Sequence, residues 1–212
     1  MSVSRENVKT IKNDLEYLRQ ISKEVNFNDS KLLDDIEVLT KFCKENEVLA
    51  MAAVQLGIPK RIMYLKNTNL DIVTKDQQPD AIVDLDYDEQ TIMINPVITK
   101  RIGLTTYWEA CASCLNNVGL VKRPYIIEME YYDLEQNKHT KTFEGFPSTV
   151  ISHEYDHLNG ILHMDIADKI LDLEAEERKK LRLQPGQGYE IISKDGDYEQ
   201  LKEKHKVIKK TK

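Results

Sequence analysis

The stretch Ser152-His153-Glu154-Tyr155-Asp156-His157 constrains the structure of this 212-residue chain more than any other part of it. It contains the pattern H-E-x-x-H. On a helix, residues four apart lie on one face, so His153 and His157 can bind a single metal ion while Glu154 reaches the water on that ion. The spacing predicts a helix that carries a hydrolytic metal site.

The residues on either side agree with one short helix. Pro147-Ser148-Thr149 is typical of a helix start, Val150 and Ile151 begin an apolar face, and Asn159-Gly160 is typical of a helix stop. A hydrolytic metal site also needs a third protein ligand and one open coordination position. That third ligand must come from elsewhere in the chain.

One candidate for the third ligand is His163. With Gly160 it completes the longer pattern H-E-x-x-H-x-x-G-x-x-H of the metzincin proteases, which predicts a zinc endopeptidase using His153, His157 and His163. Metzincins also carry a methionine turn well downstream. The last methionine here is Met164, directly after the final histidine, which weighs against this interpretation.

The other candidates are the three cysteines. Cys43 falls in an amphipathic helical stretch, where a small buried apolar residue is the simpler interpretation. Cys111 and Cys114 follow a strand-like run from Gly103 to Trp108, and a thiolate beside a divalent ion is a good ligand. The residues alone favour one of these two cysteines without choosing between them.

The chain resembles the peptide deformylase family, whose motifs G-x-G-x-A-A-x-Q, E-G-C-x-S and H-E-x-D-H have counterparts here in the same order. The counterparts are Ala52-Ala53-Val54-Gln55, Glu109-Ala110-Cys111-Ala112-Ser113 and His153-Glu154-Tyr155-Asp156-His157. The resemblance spans roughly residues 28 to 168. It implies Cys111 as the third ligand, because the family places glutamate two residues before the ligand and serine two residues after it. It also implies an ion pair between Glu109 and Arg123 that braces the metal loop.

The activity implied by the resemblance is removal of the N-formyl group from the formyl-methionine of newly made polypeptides. Metal-bound hydroxide would attack the formyl carbonyl, with Glu154 as general base and then general acid. The side-chain amide of Gln55 and the backbone N–H of Ala112 would stabilise the developing oxyanion. Ala50 and Val150 are expected at the substrate pocket.

The metal and the activity are each open to alternatives. One thiolate and two imidazoles accept zinc, iron, cobalt or nickel, and the resemblance implies Fe²⁺ in the cell with Zn²⁺ as a common substitute. Val48 and Ala50 stand where the family has glycines, which limits the backbone there. An inactive, metal-binding relative that only holds peptide ends is therefore a further alternative, beside the metzincin-like endopeptidase.

Composition agrees with a compact enzyme. An apolar content of 41% in 212 residues predicts one domain, residues 1–212. The resemblance implies a core at about 28–168, with an N-terminal extension at 1–27 and a C-terminal extension at 169–212. The sequence lacks a membrane-spanning run and a signal-peptide core, so a cytoplasmic location is expected. The formal net charge of −6 argues against DNA as a partner.

The expected partners are N-formylmethionyl nascent peptides, and the C-terminal end raises the question of the ribosome. The end is rich in lysine, at Lys202, Lys204, Lys206, Lys209, Lys210 and Lys212. These lysines are interpreted either as a frayed, solvated terminus or as a contact with ribosomal RNA.

Hydrophobic periodicity predicts an α+β fold, with antiparallel or mixed sheets packed around the central H-E-x-x-H helix and extra helices at both ends. Helices are predicted over Val8 to Val25, after Asn28-Asp29-Ser30, and over Ile166 to Leu183. Residues 67–89 are interpreted as a polar surface insertion. Six strands are predicted, at 61–65, 91–99, 103–108, 118–122, 125–132 and 139–143.

Overall fold

The computed structural model describes residues 7–66 and 90–210, with side chains described as far as residue 206. The predicted insertion at 67–89 lies outside the described residues. Within the described ranges, no helix combines the length and the apolar character needed to span a membrane.

The described strands form a single antiparallel sheet of eight strands. They are β1 Ala50–Ala52, β2 Ile62–Lys66, β3 Gln90–Ala110, β4 Asn117–Arg123, β5 Ile126–Tyr132, β6 Lys138–Glu144, β7 Lys169–Asp172 and β8 Glu190–Asp197. The long strand β3 organises the sheet, because it pairs with β2 and β5 along its first half and with β4 and β8 along its second. The predicted strands at 91–99 and 103–108 are therefore two parts of one element.

The helices are α1 Leu15–Leu18, α2 Leu32–Glu45, α3 Phe146–Leu158, α4 His163–Ile166, α5 Ala175–Arg182 and α6 Tyr198–Lys210. Two short 3₁₀ turns, Ala53–Leu56 and Ala112–Cys114, follow β1 and β3. The predicted α+β class is confirmed.

Strand β5 shows how the sequence pattern fixes the packing of the central helix. Its side chains alternate between buried and half-buried, and the buried set includes Ile127 and Met129. Since successive side chains of a strand point to opposite faces, this set forms one apolar surface. Ile151 and Leu158 of α3 pack in the same apolar cluster. The sheet therefore holds α3 by its apolar face.

The central helix has the bounds that its sequence predicts. It begins at Phe146 with Pro147 in its first turn, a position that does not need a backbone N–H. It ends at Leu158, with Asn159 as its C-cap and Gly160 at a φ of 70°. This places the H-E-x-x-H residues in the last two turns of α3.

The predicted N-terminal helix over Val8 to Val25 is wrong. Only α1 is helical there, and backbone N–H groups in this segment bond to distant parts of the chain instead of to their own helix. Ile11 donates to the Ser113 carbonyl at 2.8 Å, and Ser22 donates to the Leu158 carbonyl at 2.9 Å. The segment is an irregular strap that crosses the end of α3 and the loop after β3.

The predicted helix over Ile166 to Leu183 is partly wrong. Residues Lys169–Asp172 form β7, which pairs with β4, and only Ala175–Arg182 is helical. Pairing with β4 satisfies the backbone of the first part, so its apolar residues belong to the sheet. The sequence pattern also did not predict β1, β8 or α6.

Candidate metal centre

The last turns of α3 present three chemically active side chains to the protein interior. His153, Glu154 and His157 are all buried, with exposed fractions of 9%, 7% and 1%. A buried histidine or carboxylate needs a polar partner or an ion to offset its lost hydration. Burial of all three on one helix therefore indicates a site for polar partners or an ion.

Cys111 approaches these residues from the end of β3. It precedes the 3₁₀ turn Ala112–Cys114, and the N–H of Cys114 bonds to its carbonyl at 3.0 Å. The Cys111 Sγ lies 3.5 Å from the His157 Nε2. A hydrogen bond from the Cys114 thiol holds the pKa of Cys111 below its ordinary value, although burial alone would raise it.

Cys111, His153 and His157 fit a divalent metal ion. One ligand atom from each side chain lies within 4.8 Å of the other two. His153 bonds through its Nδ1 to the Glu109 Oε2 at 2.8 Å, which leaves its Nε2 for a metal. A thiolate with two imidazoles is the donor set that zinc and the later first-row metals prefer.

The residues behind His153 form a buried charged network. Arg123 binds both oxygens of Glu109, through Nε at 2.7 Å and Nη2 at 2.9 Å, and reaches the Asp156 Oδ2 through Nη1 at 2.5 Å. Burial alone would raise the pKa of Glu109, but the charge and hydrogen bonds of Arg123 hold it below its ordinary value. Glu109 therefore stays ionised and fixes the His153 ring.

Asp156 belongs to this network although the sequence analysis did not select it. It stands one helical turn after His153, on the side of α3 that faces Arg123 at the end of β4. The sequence signal for this role was a carboxylate three residues after the metal ligand His153, with Arg123 elsewhere in the chain as its possible partner.

Glu154 lies on the cavity side of the helix. Its Oε2 accepts a hydrogen bond from the Ala52 N–H at 2.9 Å, a link between α3 and β1. Burial raises the pKa of Glu154. A carboxylate with a raised pKa can both accept and return a proton near neutral pH.

The turn after β1 holds the Gln55 side chain close to the Ala52 N–H, which also bonds to Glu154. Its Oε1 accepts from the Ala52 N–H at 3.1 Å, and its Nε2 donates to the Ser113 Oγ at 3.0 Å. The same Nε2 lies 3.7 Å from the Cys111 sulfur. Gln55 is 3% exposed, so it is not the solvated loop residue that an isolated glutamine would suggest.

A cavity of about 290 Å³ opens beside these side chains. Gln55, Glu154, Cys111 and Ala112 line it, and so do Ala50 and Val150, the two positions expected at a substrate pocket. Aromatic rings of Tyr107 and Phe146 form part of its wall. The lining of the cavity is mainly apolar.

Arg182 is a cavity residue that the sequence analysis missed. It comes from α5, yet it lines the cavity, with its guanidinium 4.7 Å from the Tyr107 ring centroid. Its Nε and Nη2 donate to the Trp108 carbonyl at 3.0 and 2.6 Å. An arginine in a charged helix gives no sequence signal for such a position, because the contact depends on how the C-terminal segment folds back.

His163 does not join the histidine pair of α3. Its Nε2 lies 3.1 Å from the Asn117 carbonyl oxygen, and its ring stacks on His153 with centroids 5.6 Å apart. Among the described residues, the groups able to hold a metal combine Cys111 either with His153 and His157 or with Cys114 and His163. The three-histidine arrangement of the metzincin alternative is not one of them.

Comparison with known proteins gives a consistent match. The model of the family described as polypeptide deformylase matches residues 6–172. A peptide deformylase of Pelagibacter ubique is 34% identical over 157 residues, which cover 72% of this chain and 81% of that protein. A peptide deformylase of Finegoldia magna is 31% identical over 165 residues, covering 77% of this chain and 90% of that protein.

Solved structures agree with the sequence matches. The Met-Ala-Ser-bound crystal structure of a class I type b peptide deformylase from Acinetobacter baumannii is 27% identical, with a TM-score of 0.63, covering 78% of this chain and 99% of that chain. A peptide deformylase from Synechococcus elongatus in complex with actinonin is 25% identical, with a TM-score of 0.61, covering 83% of this chain and 84% of that chain.

Proposed function

The chain belongs to the polypeptide deformylase family and is a metal-dependent hydrolase of that family, and we propose that Cys111, His153 and His157 hold its metal ion. The family acts on the formyl peptides of nascent chains. The observation that carries this assignment is the approach of one sulfur and two ring nitrogens to within 4.8 Å of one another, beside the Glu154 carboxylate and an apolar cavity.

When bound, a divalent ion supplies Lewis acidity and lowers the pKa of water toward ~7. Glu154 accepts the proton of the attacking water and returns it to the amine as the bond between the formyl carbon and the nitrogen breaks. The products are formate and a free N-terminus. The raised pKa of Glu154 supports this role, because burial brings its proton affinity closer to neutral pH.

Gln55 and Ala112 complete the proposed machinery by stabilising negative charge on the carbonyl oxygen. The Gln55 amide is fixed at both ends, by Ala52 and by Ser113, so it needs no reorganisation when the charge develops. Ala112 starts a 3₁₀ turn beside Cys111, which supports a role for its backbone N–H. Loss of one such donor typically costs ~100-fold or more in rate.

Ala50 and Val150 are the proposed contacts for the methionine side chain. Both line the cavity, Ala50 from β1 and Val150 from α3. Glu109 and Arg123 are proposed to act through His153, by fixing its ring orientation rather than by touching substrate. These assignments extend the roles implied by the family motifs.

The metal ion is proposed to be Fe²⁺ in the cell, with Zn²⁺, Ni²⁺ or Co²⁺ able to replace it. A cytoplasmic location is part of the same proposal, and three free cysteines support it because thiols survive as ligands in a reducing compartment. We also propose that the core and both extensions form one domain. Pairing of β8 with β3, and the strap across α3, support this organisation.

A ribosome contact through the C-terminal end is a further part of the proposal. Helix α6 runs from Tyr198 to Lys210, and Lys202, Lys204 and Lys206 lie on its described part, which supports a basic helical surface. Lys206, however, pairs with Glu203 at 2.8 Å. Deletion of residues 201–212 should reduce co-sedimentation with ribosomes, and unchanged co-sedimentation would remove this idea.

The central test measures formate. Protein purified without oxygen, with its metal quantified, should release formate from an N-formylmethionyl peptide. Glu154→Gln should lower turnover by at least ~100-fold while the metal stays bound, and Glu203→Gln, an exposed glutamate on α6, should not. Tight peptide binding without formate release by the metal-replete protein would contradict deformylase activity and favour an inactive relative.

A further inference from the structure

Cys111 belongs to a second cluster of side chains able to bind a metal, in addition to the one with His153 and His157. One ligand atom from each of Cys111, Cys114 and His163 lies within 4.8 Å of the other two. Cys114 and His163 are fully buried, with exposed fractions of 0% and 1%. Neither residue takes part in the deformylation chemistry proposed above, so their convergence needs a separate explanation.

The orientation of His163 is that of a metal ligand. Its Nε2 lies 3.1 Å from the Asn117 carbonyl oxygen, which can only accept, so Nε2 carries the proton. Its buried Nδ1 has no hydrogen-bond partner among the residues that the structure describes. Metal-binding histidines typically donate one N–H to a carbonyl and use the other nitrogen as ligand. His163 has a buried ring nitrogen of this kind, and one of its ring nitrogens lies within 4.8 Å of the Cys111 and Cys114 sulfurs.

The two sulfurs are suited to one ion. The 3₁₀ turn, closed by the bond from the Cys114 N–H to the Cys111 carbonyl at 3.0 Å, brings both onto one side of the loop. Cys114 also lies in an apolar cluster with Leu18 and Leu162. Ionisation of Cys114 adds one negative charge beside the second ion, which offsets part of its charge in this apolar surrounding.

We propose that Cys111, Cys114 and His163 form an auxiliary site for a thiophilic divalent ion such as zinc or cadmium, with the Cys111 sulfur shared with the catalytic position. When the ion binds, it displaces the thiol proton of Cys114, which hydrogen-bonds to the Cys111 sulfur. This proton goes to solvent. No electron transfer is involved. A thiolate sulfur has lone pairs for two ions, so the second ion binds while the first remains.

Cadmium uptake tests the site without any need for enzyme activity. The full-length protein, kept reduced by a non-thiol reductant and first loaded with one equivalent of cadmium, is titrated with more of the same ion. Bound cadmium is counted by equilibrium dialysis and elemental analysis. The ultraviolet charge-transfer absorption of cadmium-bound thiolate follows the same titration. The wild-type protein should take up a second equivalent, with a further rise in this absorption.

Two variants and one control locate the second ion. Cys114→Ser and His163→Gln should each keep the first equivalent and lose the second, and the glutamine amide can still donate to the Asn117 carbonyl. Cys43→Ser removes an equally buried thiol on α2 and should still bind two equivalents. A wild-type protein that binds only one equivalent, or a Cys114→Ser variant that binds two, would overturn the proposal. Because the readout is bound metal, a failed formate assay leaves this test intact.

Discussion

Arg123 and Glu109 form a buried two-point ion pair, with Nε to Oε1 at 2.7 Å and Nη2 to Oε2 at 2.9 Å. Both side chains are about 5% exposed, and Arg123 also binds Asp156 at 2.5 Å. The pair joins the ends of β3 and β4 to α3. It thereby fixes the strand that leads to Cys111 and the helix that carries the histidines.

Arg123→Met should destabilise the protein strongly. The change leaves Glu109 and Asp156 without their shared cation, and removal of one partner of a buried pair typically costs about 3–5 kcal/mol. Urea unfolding measures the loss. Lys179→Met, which breaks the exposed pair with Glu176 at 3.3 Å, is the control and should cost less than ~1 kcal/mol. Equal losses in both variants would contradict the structural role of Arg123.

Substitutions at and around the metal site should lower metal affinity by different amounts. Glu109→Gln weakens the partner of His153 and should lower affinity by ~10–100-fold. Cys111→Ser removes a ligand and should lower it further, whereas Cys43→Ser should have no effect at the catalytic position. Competition with a coloured chelator gives the three constants. Unchanged affinity in Cys111→Ser would exclude the proposed ligand set.

Gly160→Ala should be much more costly than Gly186→Ala. Both glycines have a φ near +70°, at 70° and 73°, so the backbone strain is similar. A Cβ at Gly160 would lie 2.2 Å from the Arg19 carbonyl oxygen, whereas nothing lies within 4 Å at Gly186. We expect about 1 kcal/mol at Gly186 and at least ~3 kcal/mol at Gly160, measured by urea unfolding. Similar costs would show that the N-terminal strap does not pack against Gly160.

The stability of the protein should fall between pH 10 and pH 12, in part through Tyr189. Burial raises the pKa of Tyr189 from 10.0 to about 12, and its ring packs against Tyr107 and Phe146. In this window the phenol ionises in the unfolded chain and stays protonated in the folded one, so rising pH favours unfolding.

Tyr189→Phe should therefore lose less stability than the wild type from pH 9 to pH 12. The difference should be about 1–3 kcal/mol, since one pKa unit corresponds to about 1.4 kcal/mol. Parallel losses in the two proteins would contradict the shift. Urea unfolding at each pH provides the comparison.

Arg182→Met should change substrate binding more than metal binding. The variant loses the two hydrogen bonds to the Trp108 carbonyl and the contact with the Tyr107 ring, so the cavity wall loses its support. We expect KM to rise ~10-fold, the effect of about 1.4 kcal/mol of lost binding, with the metal content unchanged. Lys180→Met, on the exposed side of the same helix, should leave KM as it is.

Parts of the fold follow from local sequence, and others depend on tertiary contacts. The bounds of α3 were predictable because Pro147 and Asn159-Gly160 act on the neighbouring backbone. The N-terminal segment was mispredicted as a helix because apolar residues recur at helical steps. Val8, Leu18 and Val25 are buried, but Ile21 is 73% exposed. The three buried residues pack an irregular chain against the rest of the protein at separate points, and hydrophobic periodicity does not predict such contacts.

The same division holds for the site. The spacing of His153, Glu154 and His157 is a local property of one helix, and the family motifs added Cys111 from another part of the chain. The proximity of these four side chains agrees with the interpretation as a metal site, while their metal-binding and catalytic roles stay predictions. Asp156 and Arg182 were missed because each meets its partner across a long sequence separation. The second ligand cluster was missed because Cys114 and His163 are far apart in the chain.

The attachment of Arg182 to Trp108 has a consequence for biosynthesis. The proposed ligands of the catalytic metal, Cys111, His153 and His157, all precede residue 158, whereas Arg182 lines the cavity from a later segment of the chain. A growing chain therefore acquires its metal-binding atoms well before it can enclose a substrate side chain. Residue 182 must therefore be synthesised before the cavity wall of this enzyme is complete.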